Sequence, residues 1–173
     1  PLSPKVTAVV AAPGIRKPKA VAVQFRYAFV ADEEGIKSVD ITDPAKPILV
    51  KKFLPLQSAN DIYVARTYAY VAGGREGLVI VDVEKPEAPR VHLKFDDGGR
   101  LNDARDVIVG TTNASAIAYV ADGANGLKVL QLTSPEIQPK FYGFSPDPKP
   151  RVIAWRDTQS PAISVAKGLD RDR

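Results

Sequence analysis

Cysteine and methionine are absent from the 173 residues, and histidine and tryptophan each occur once. Without thiols the chain has no disulfide framework, thiolate nucleophile, iron–sulfur cluster or cysteine-attached haem. His92 alone excludes a multi-histidine metal site. The chain is therefore read as holding no cofactor of its own. No apolar run approaches the length of a membrane-spanning helix, and no basic–apolar–small-residue leader is present. Pro1 opens a chain without methionine, which reads as a chain with residues missing before it.

What is present suffices for a core, since 45% of residues are hydrophobic and 25% charged. Fifteen prolines and twelve glycines favour many short elements separated by turns over long helices. The net charge of +4 is polarised toward the ends. Lys5, Arg16, Lys17 and Lys19 have no acid near them, a second basic excess follows Lys149, and the middle of the chain is net acidic. The cations are not gathered among aromatics on one element, so nucleic acid is not an expected partner.

The dominant feature is a repeat. The stretch from Tyr27 through Asp40 to Pro44 returns from Tyr68 through Asp82 to Pro86, and again from Ile117 through Gln131 to Pro135. The turn glycines Gly35, Gly77 and Gly126 are separated by 42 and 49 residues, as are Pro44, Pro86 and Pro135. Each copy parses into four short strands rich in Val, Ile, Tyr and Phe. They are an opening run such as Asp61 to Val64 or Asp106 to Val109, an aromatic run ending Tyr-Val-Ala, a third run such as Leu78 to Asp82, and a fourth after a Pro-x-x-Pro spacer, as in Ile48 to Phe53. Leu78, Ile80, Tyr70, Val71, Val120 and Leu127 are the expected core. Four antiparallel strands per 40 to 45 residues is the sequence signature of a β-propeller blade. Prolines and β-branched pairs interrupt any helical stripe.

These residues resemble the LVIVD repeat family, whose namesake run stands at Leu78-Val79-Ile80-Val81-Asp82. Ala69 to Ala72, Pro86 to Pro89 and Asp40 to Pro47 carry the resemblance further, over roughly residues 19 to 144, while the third copy departs with Gln131 in place of Asp. The resemblance implies a propeller-like fold in extracytoplasmic (secreted, periplasmic or cell-surface) bacterial and archaeal proteins, some of which also carry multihaem cytochrome segments. It implies no shared catalytic residues.

The expected fold is therefore all-β, a β-propeller segment of about three four-stranded blades with partial terminal blades, and an incomplete ring. Residues 1–18 are read as the fourth strand of a preceding or shared blade, at Lys5 to Val10, and a linker. Blades follow at 19–54, 55–97 and 98–148, and residues 149–173 start a further blade and a basic tail. There Arg151 to Trp155 and Ala162 to Ala166 are read as its first two strands. A compact four-bladed ring lacks one Gly-Leu-x-x-x-Asp strand, so a six- to eight-bladed ring is the expectation, closed by a protein partner or by the remainder of the same polypeptide.

Candidate sites are few. Asp40 and Asp82 end third strands, where a carboxylate accepts amides of the following turn. Asp61 and Asp106 begin innermost strands on adjacent blades, and are weak metal candidates because calcium needs six or more oxygens. The polar loop holding Asp96, Asp97, Arg100, Asn102 and Asp103 is the interaction-loop candidate. His92 reads as surface packing on an outer strand, and Trp155 and Phe141, Tyr142 and Phe144 as blade packing. Asn113-Ala-Ser115 has the form of a glycosylation sequon. No nucleophile–base pair emerges, so no catalytic residue is assigned. The expected function is a non-catalytic scaffold or protein-interaction module, outside the cytoplasm and beside electron-transfer components such as a multihaem cytochrome. The alternative is a fragment of a propeller enzyme with a cation-binding central channel, for which Asp61 and Asp106 would be the members.

Overall fold

A computed structural model describes residues 3–111, 115–136 and 144–167. Thirteen strands form three successive antiparallel sheets, and no helix forms among the described residues. The first sheet contains β1 (Ala20–Gln24), β2 (Tyr27–Asp32) and β3 (Gly35–Asp40). Its outer edge is two short strands, β4 (Ile48–Leu49) and β5 (Leu54–Pro55), both paired with β3. The second sheet runs β6 (Asp61–Ala65), β7 (Tyr68–Ala72), β8 (Leu78–Asp82) and β9 (Arg90–Phe95). The third runs β10 (Asp106–Thr111), β11 (Ala116–Ala121), β12 (Leu127–Thr133) and β13 (Arg151–Arg156). The arrangement is propeller-like and incomplete.

Alternation along each strand sends side chains to two faces, and each face between neighbouring sheets is apolar. Phe29, Ala31 and Ile36 of the first sheet meet Ile62, Val71, Val79 and Val81 of the second. The opposite side of the second sheet, with Tyr70, Leu78 and Ile80, meets Val107, Val109, Val120 and Leu130 of the third. The second sheet is thus covered on both sides. That is why Leu78 to Val81 is an unbroken apolar run with every residue buried, where a sheet wetted on one side would alternate.

Connecting loops complete each interface. Leu101, in the polar loop before β10, is fully buried between the second and third sheets, and Leu56 packs at the preceding interface. Ile15 packs on the outer face of the first sheet against Val30, Val39 and Leu49. Each of these residues stands five positions before the residue that opens its sheet, Ala20, Asp61 or Asp106. Gly77 has a φ of 71°, and a Cβ there would run into the Phe95 carbonyl and Leu101, so this crossing of β8 and β9 requires glycine.

The structure corrects the reading of both ends. Arg151–Arg156 closes the third sheet as its fourth strand instead of opening a new one, with Leu130 opposite Val152 and Lys128 opposite Trp155. The spacer before it is longer than in the other copies and holds Pro146, Pro148 and Pro150, which have no amide to donate to a ladder. Ala162 then exchanges both backbone hydrogen bonds with Gly123, as Ala104 does with Gly74, so residues 162–165 take the place of a first strand, not a second. Lys5 to Val10 forms no strand; Val10 instead packs beside Ile15 on the first sheet. Trp155 is 66% exposed on an outermost strand and is not blade packing. Of the expected core only Leu127 is half-buried, because it lies on the outer face of the third sheet. Phe141 and Tyr142 lie outside the described residues, as do Asn113 of the sequon and the end of the basic tail.

Leu101→Ala is expected to cost about 2 to 5 kcal/mol in urea unfolding, as for a fully buried leucine, and Leu127→Ala less than half as much. Equal losses would contradict this assignment of the two faces.

Candidate functional site

The innermost strands bring the two sequence-selected carboxyl groups together. Asp61 opens β6 and Asp106 opens β10, at the same place in consecutive sheets. Asp61 Oδ2 accepts the Val107 amide at 3.0 Å, and Asp106 Oδ2 accepts the Val165 amide at 2.9 Å. Each acid therefore ties its own sheet to the first strand position of the next. The two side chains are also hydrogen-bonded to each other. Burial, and then the hydrogen bond with Asp106, push Asp61 up to about 6, so Asp61 is the member that takes up a proton as pH falls through that value. Burial also acts to raise Asp106, but hydrogen bonds from Asp61, Ser164 and the Val165 amide outweigh it and hold this carboxylate below its usual range. A proton shared between close carboxyls follows from the cost of ionising both.

This arrangement suits stitching better than metal ligation. The oxygens are occupied by amides and by each other, and among the described residues no third acid or histidine joins them. The first sheet has Ala20 at the equivalent position. There the neighbouring contact is Lys19 Nζ to Asn60 Oδ1 at 2.9 Å, and Asn60 in turn donates to the Ala104 carbonyl.

The polar loop after β9 is closed on itself. Asp96 Oδ1 accepts the Gly98 amide at 3.1 Å, Arg100 binds the carbonyl and carboxylate of Asp97, and Asn102 donates to the Gly99 carbonyl. It is pinned to the third sheet by Asn125 to Asn102, and by the Asp103 amide to Asp122 Oδ1 at 2.7 Å. Arg105 forks onto the Asp103 carboxylate. Asp40 and Asp82 each accept an amide two residues ahead, from Thr42 and Glu84, and Asp82 also binds the Arg90 guanidinium. His92 pairs with Asp147 at 2.7 Å and leans on the Tyr68 ring.

Two features escaped sequence reasoning. Lys37 is buried on the outer face of the first sheet and pairs with the fully buried Asp32 at 2.7 Å. Burial acts to lower the lysine, but Asp32 and Glu34 more than compensate and hold it above its usual value. Only the three-dimensional fold brings an alternating lysine onto Asp32 and Glu34 and over the Phe53 ring. The second feature is the end of the molecule where the first hairpins of two sheets meet. Phe25, at the tip between β1 and β2, has a φ of 53° and is 84% exposed. With Arg26, Arg66, Lys85 and Phe144 it lines an open groove of about 440 Å³. Arg66 also has a positive φ, and its guanidinium lies 5.8 Å from the Phe144 ring centre. A bulky side chain at such a turn position is strained, and the available signal was Gln24-Phe25-Arg26-Tyr27, where Gly or Asn is the usual choice.

Because Asp61 is raised in the folded state, the folded chain binds more protons than the unfolded chain between about pH 4 and 6. Its contribution is present below the unfolded value and is lost as pH rises through about 6. Asp61→Asn keeps an acceptor for Val107 and a donor for Asp106 without an ionisable proton. Urea unfolding at pH 4.5, 6 and 7.5 should show this variant gaining on the parent by on the order of 1 kcal/mol as pH rises. A constant difference would contradict the assignment of the proton.

The LVIVD repeat model matches residues 15–54, 57–97 and 116–134, more than half of the chain. The first two stretches coincide with the first two sheets, and the third covers β11 and β12. No curated protein matches the sequence. The crystal structure of a computationally designed protein, Ika4, is similar with a TM-score of 0.60 over 98% of this chain and 89% of that one. At 10% identity this likeness speaks for the fold alone. Three matched stretches in register with the repeated sheets lead to one conclusion: the chain belongs to the LVIVD repeat family.

Proposed function

We propose that the chain is a non-catalytic scaffold that binds a protein partner outside the cytoplasm, beside electron-transfer components such as a multihaem cytochrome. The observation that carries the binding role is Phe25, an exposed aromatic residue held in a left-handed turn conformation beside Arg26, Arg66 and Phe144. Exposed aromatics and arginines on a rigid frame are the side chains that dominate protein interfaces, and strain at an exposed position points to a role other than packing. The non-catalytic part rests on the absence of cysteine and on the engagement of Asp61, Asp106 and His92 in structural contacts. The extracytoplasmic setting and the cytochrome association rest on family resemblance.

The paired acids favour one second reading, a propeller enzyme with a cation in its channel. The two readings separate on purified protein. Metal analysis should find no stoichiometric metal, and Phe25→Ser with Arg66→Ser should weaken binding to a multihaem cytochrome at least tenfold, about 1.4 kcal/mol. Metal retained by the parent and lost from Asp61→Asn would replace the scaffold reading with the enzyme. Cytochrome binding that ignores both groove substitutions, or no binding at all, would overturn the proposed partner.

A further inference from the structure

The same inter-sheet contact is built twice, and part of one half stays uncovered on each outer face of the described sheets. In the second sheet, Tyr63, Tyr70 and Ile80 stand opposite one another across three strands and are covered by the third sheet. The third sheet repeats this row as Ile108, Tyr119 and Val129. Among the described residues no sheet covers that row: Tyr119 is 37% exposed where Tyr70 is 4% exposed. The complementary half lies on the first sheet. Its row Val23, Ala28 and Val39 repeats the row Val64, Ala69 and Val81 that the second sheet turns toward the first. Val21 and Val23 are 61% and 62% exposed, whereas Ile62, which matches Val21, is 5% exposed. Ile15 is already seated on this face, as Leu101 is seated between the second and third sheets.

We propose that a second copy of this chain docks head to tail, the outer face of its first sheet packing on the outer face of the third. This goes beyond the proposed partner binding, which uses the groove at the hairpin tips. A second copy carries the matching face, and the contact continues the one that already builds the molecule. Residues 162–165 hold the first-strand place within the chain itself, through Ala162 to Gly123 and the Val165 amide to Asp106. They match the repeated pattern incompletely. Gln159 falls at the position of Leu101, and Lys167 at the position of Val109, with its ammonium drawn 3.1 Å from the Tyr63 hydroxyl. A second copy brings Ile15 and Val23 to those positions, so docking exchanges residues 162–167 for β1 of the incoming chain.

The absence of cysteine makes the test clean. Val23→Cys and Tyr119→Cys are prepared as separate proteins, mixed in equal amounts and treated with a short bismaleimide. The expected product is a covalent pair of twice the chain mass from the mixture and little from either variant alone. Tyr119→Lys should leave the circular dichroism unchanged and shift the self-association midpoint, read by light scattering, at least tenfold. A protein that stays monomeric at tens of micromolar, with the thiol introduced by Tyr119→Cys reacting freely, overturns the proposal. So does a monomer in which that thiol is protected, because the chain's own residues would then cover that face.

Discussion

The contact between one sheet's apolar face and the next supports everything else in this structure. A single four-stranded sheet of this size has two sides and cannot bury both, so each repeat is unstable until a neighbour covers it. The second sheet shows the finished state, with Ala69 to Ala72 and Leu78 to Val81 buried throughout. The loop residues Leu56 and Leu101 fill the space where successive sheets diverge from the centre. Glycines at the same point let the backbones cross, since any side chain at Gly77 or Gly126 would strike a carbonyl of the neighbouring outer strand.

Polar contacts set the register of that packing. Asp61 and Asp106 reach across sheet boundaries to amides of the next first strand, and the proton that Asp61 takes up below about pH 6 relieves the repulsion between the two half-buried carboxyls. The pair at Lys37 and Asp32 does a different job. Asp32 Oδ1 accepts the Glu34 and Gly35 amides that form the turn between β2 and β3, its other oxygen accepts the Arg16 amide, and the lysine neutralises it. Breaking a buried pair on one side leaves an uncompensated charge, which is why such a pair persists once formed.

Much of the architecture is legible from the sequence because a 42-residue repeat carries its own alignment. The three hairpin cores, the turn glycines and the buried Tyr70, Leu78 and Ile80 all follow from matching one copy to another. The ends are harder. Arg151 to Arg156 has the composition of any strand in the repeat, and only the proline-rich spacer before it and its ladder with β12 assign it to the third sheet. Leu101 is hidden in a loop of acids and glycines, where composition suggests solvent. The carboxyl pair is visible as two acids at equivalent positions, but the proton they share depends on burial. Phe25 escapes notice because an aromatic residue inside a strand-rich window looks like one more core position.

Covered faces, and not strand propensity, decide where this chain is stable. Residue-resolved amide hydrogen exchange on the native protein tests this most directly. Exchange is expected to be slowest in β7 and β8, which are covered on both sides, and at least tenfold faster in β1, exposed on one face, and in β13, the outermost strand of the third sheet. Protection in β1 or β13 equal to that of β7 and β8 would contradict it.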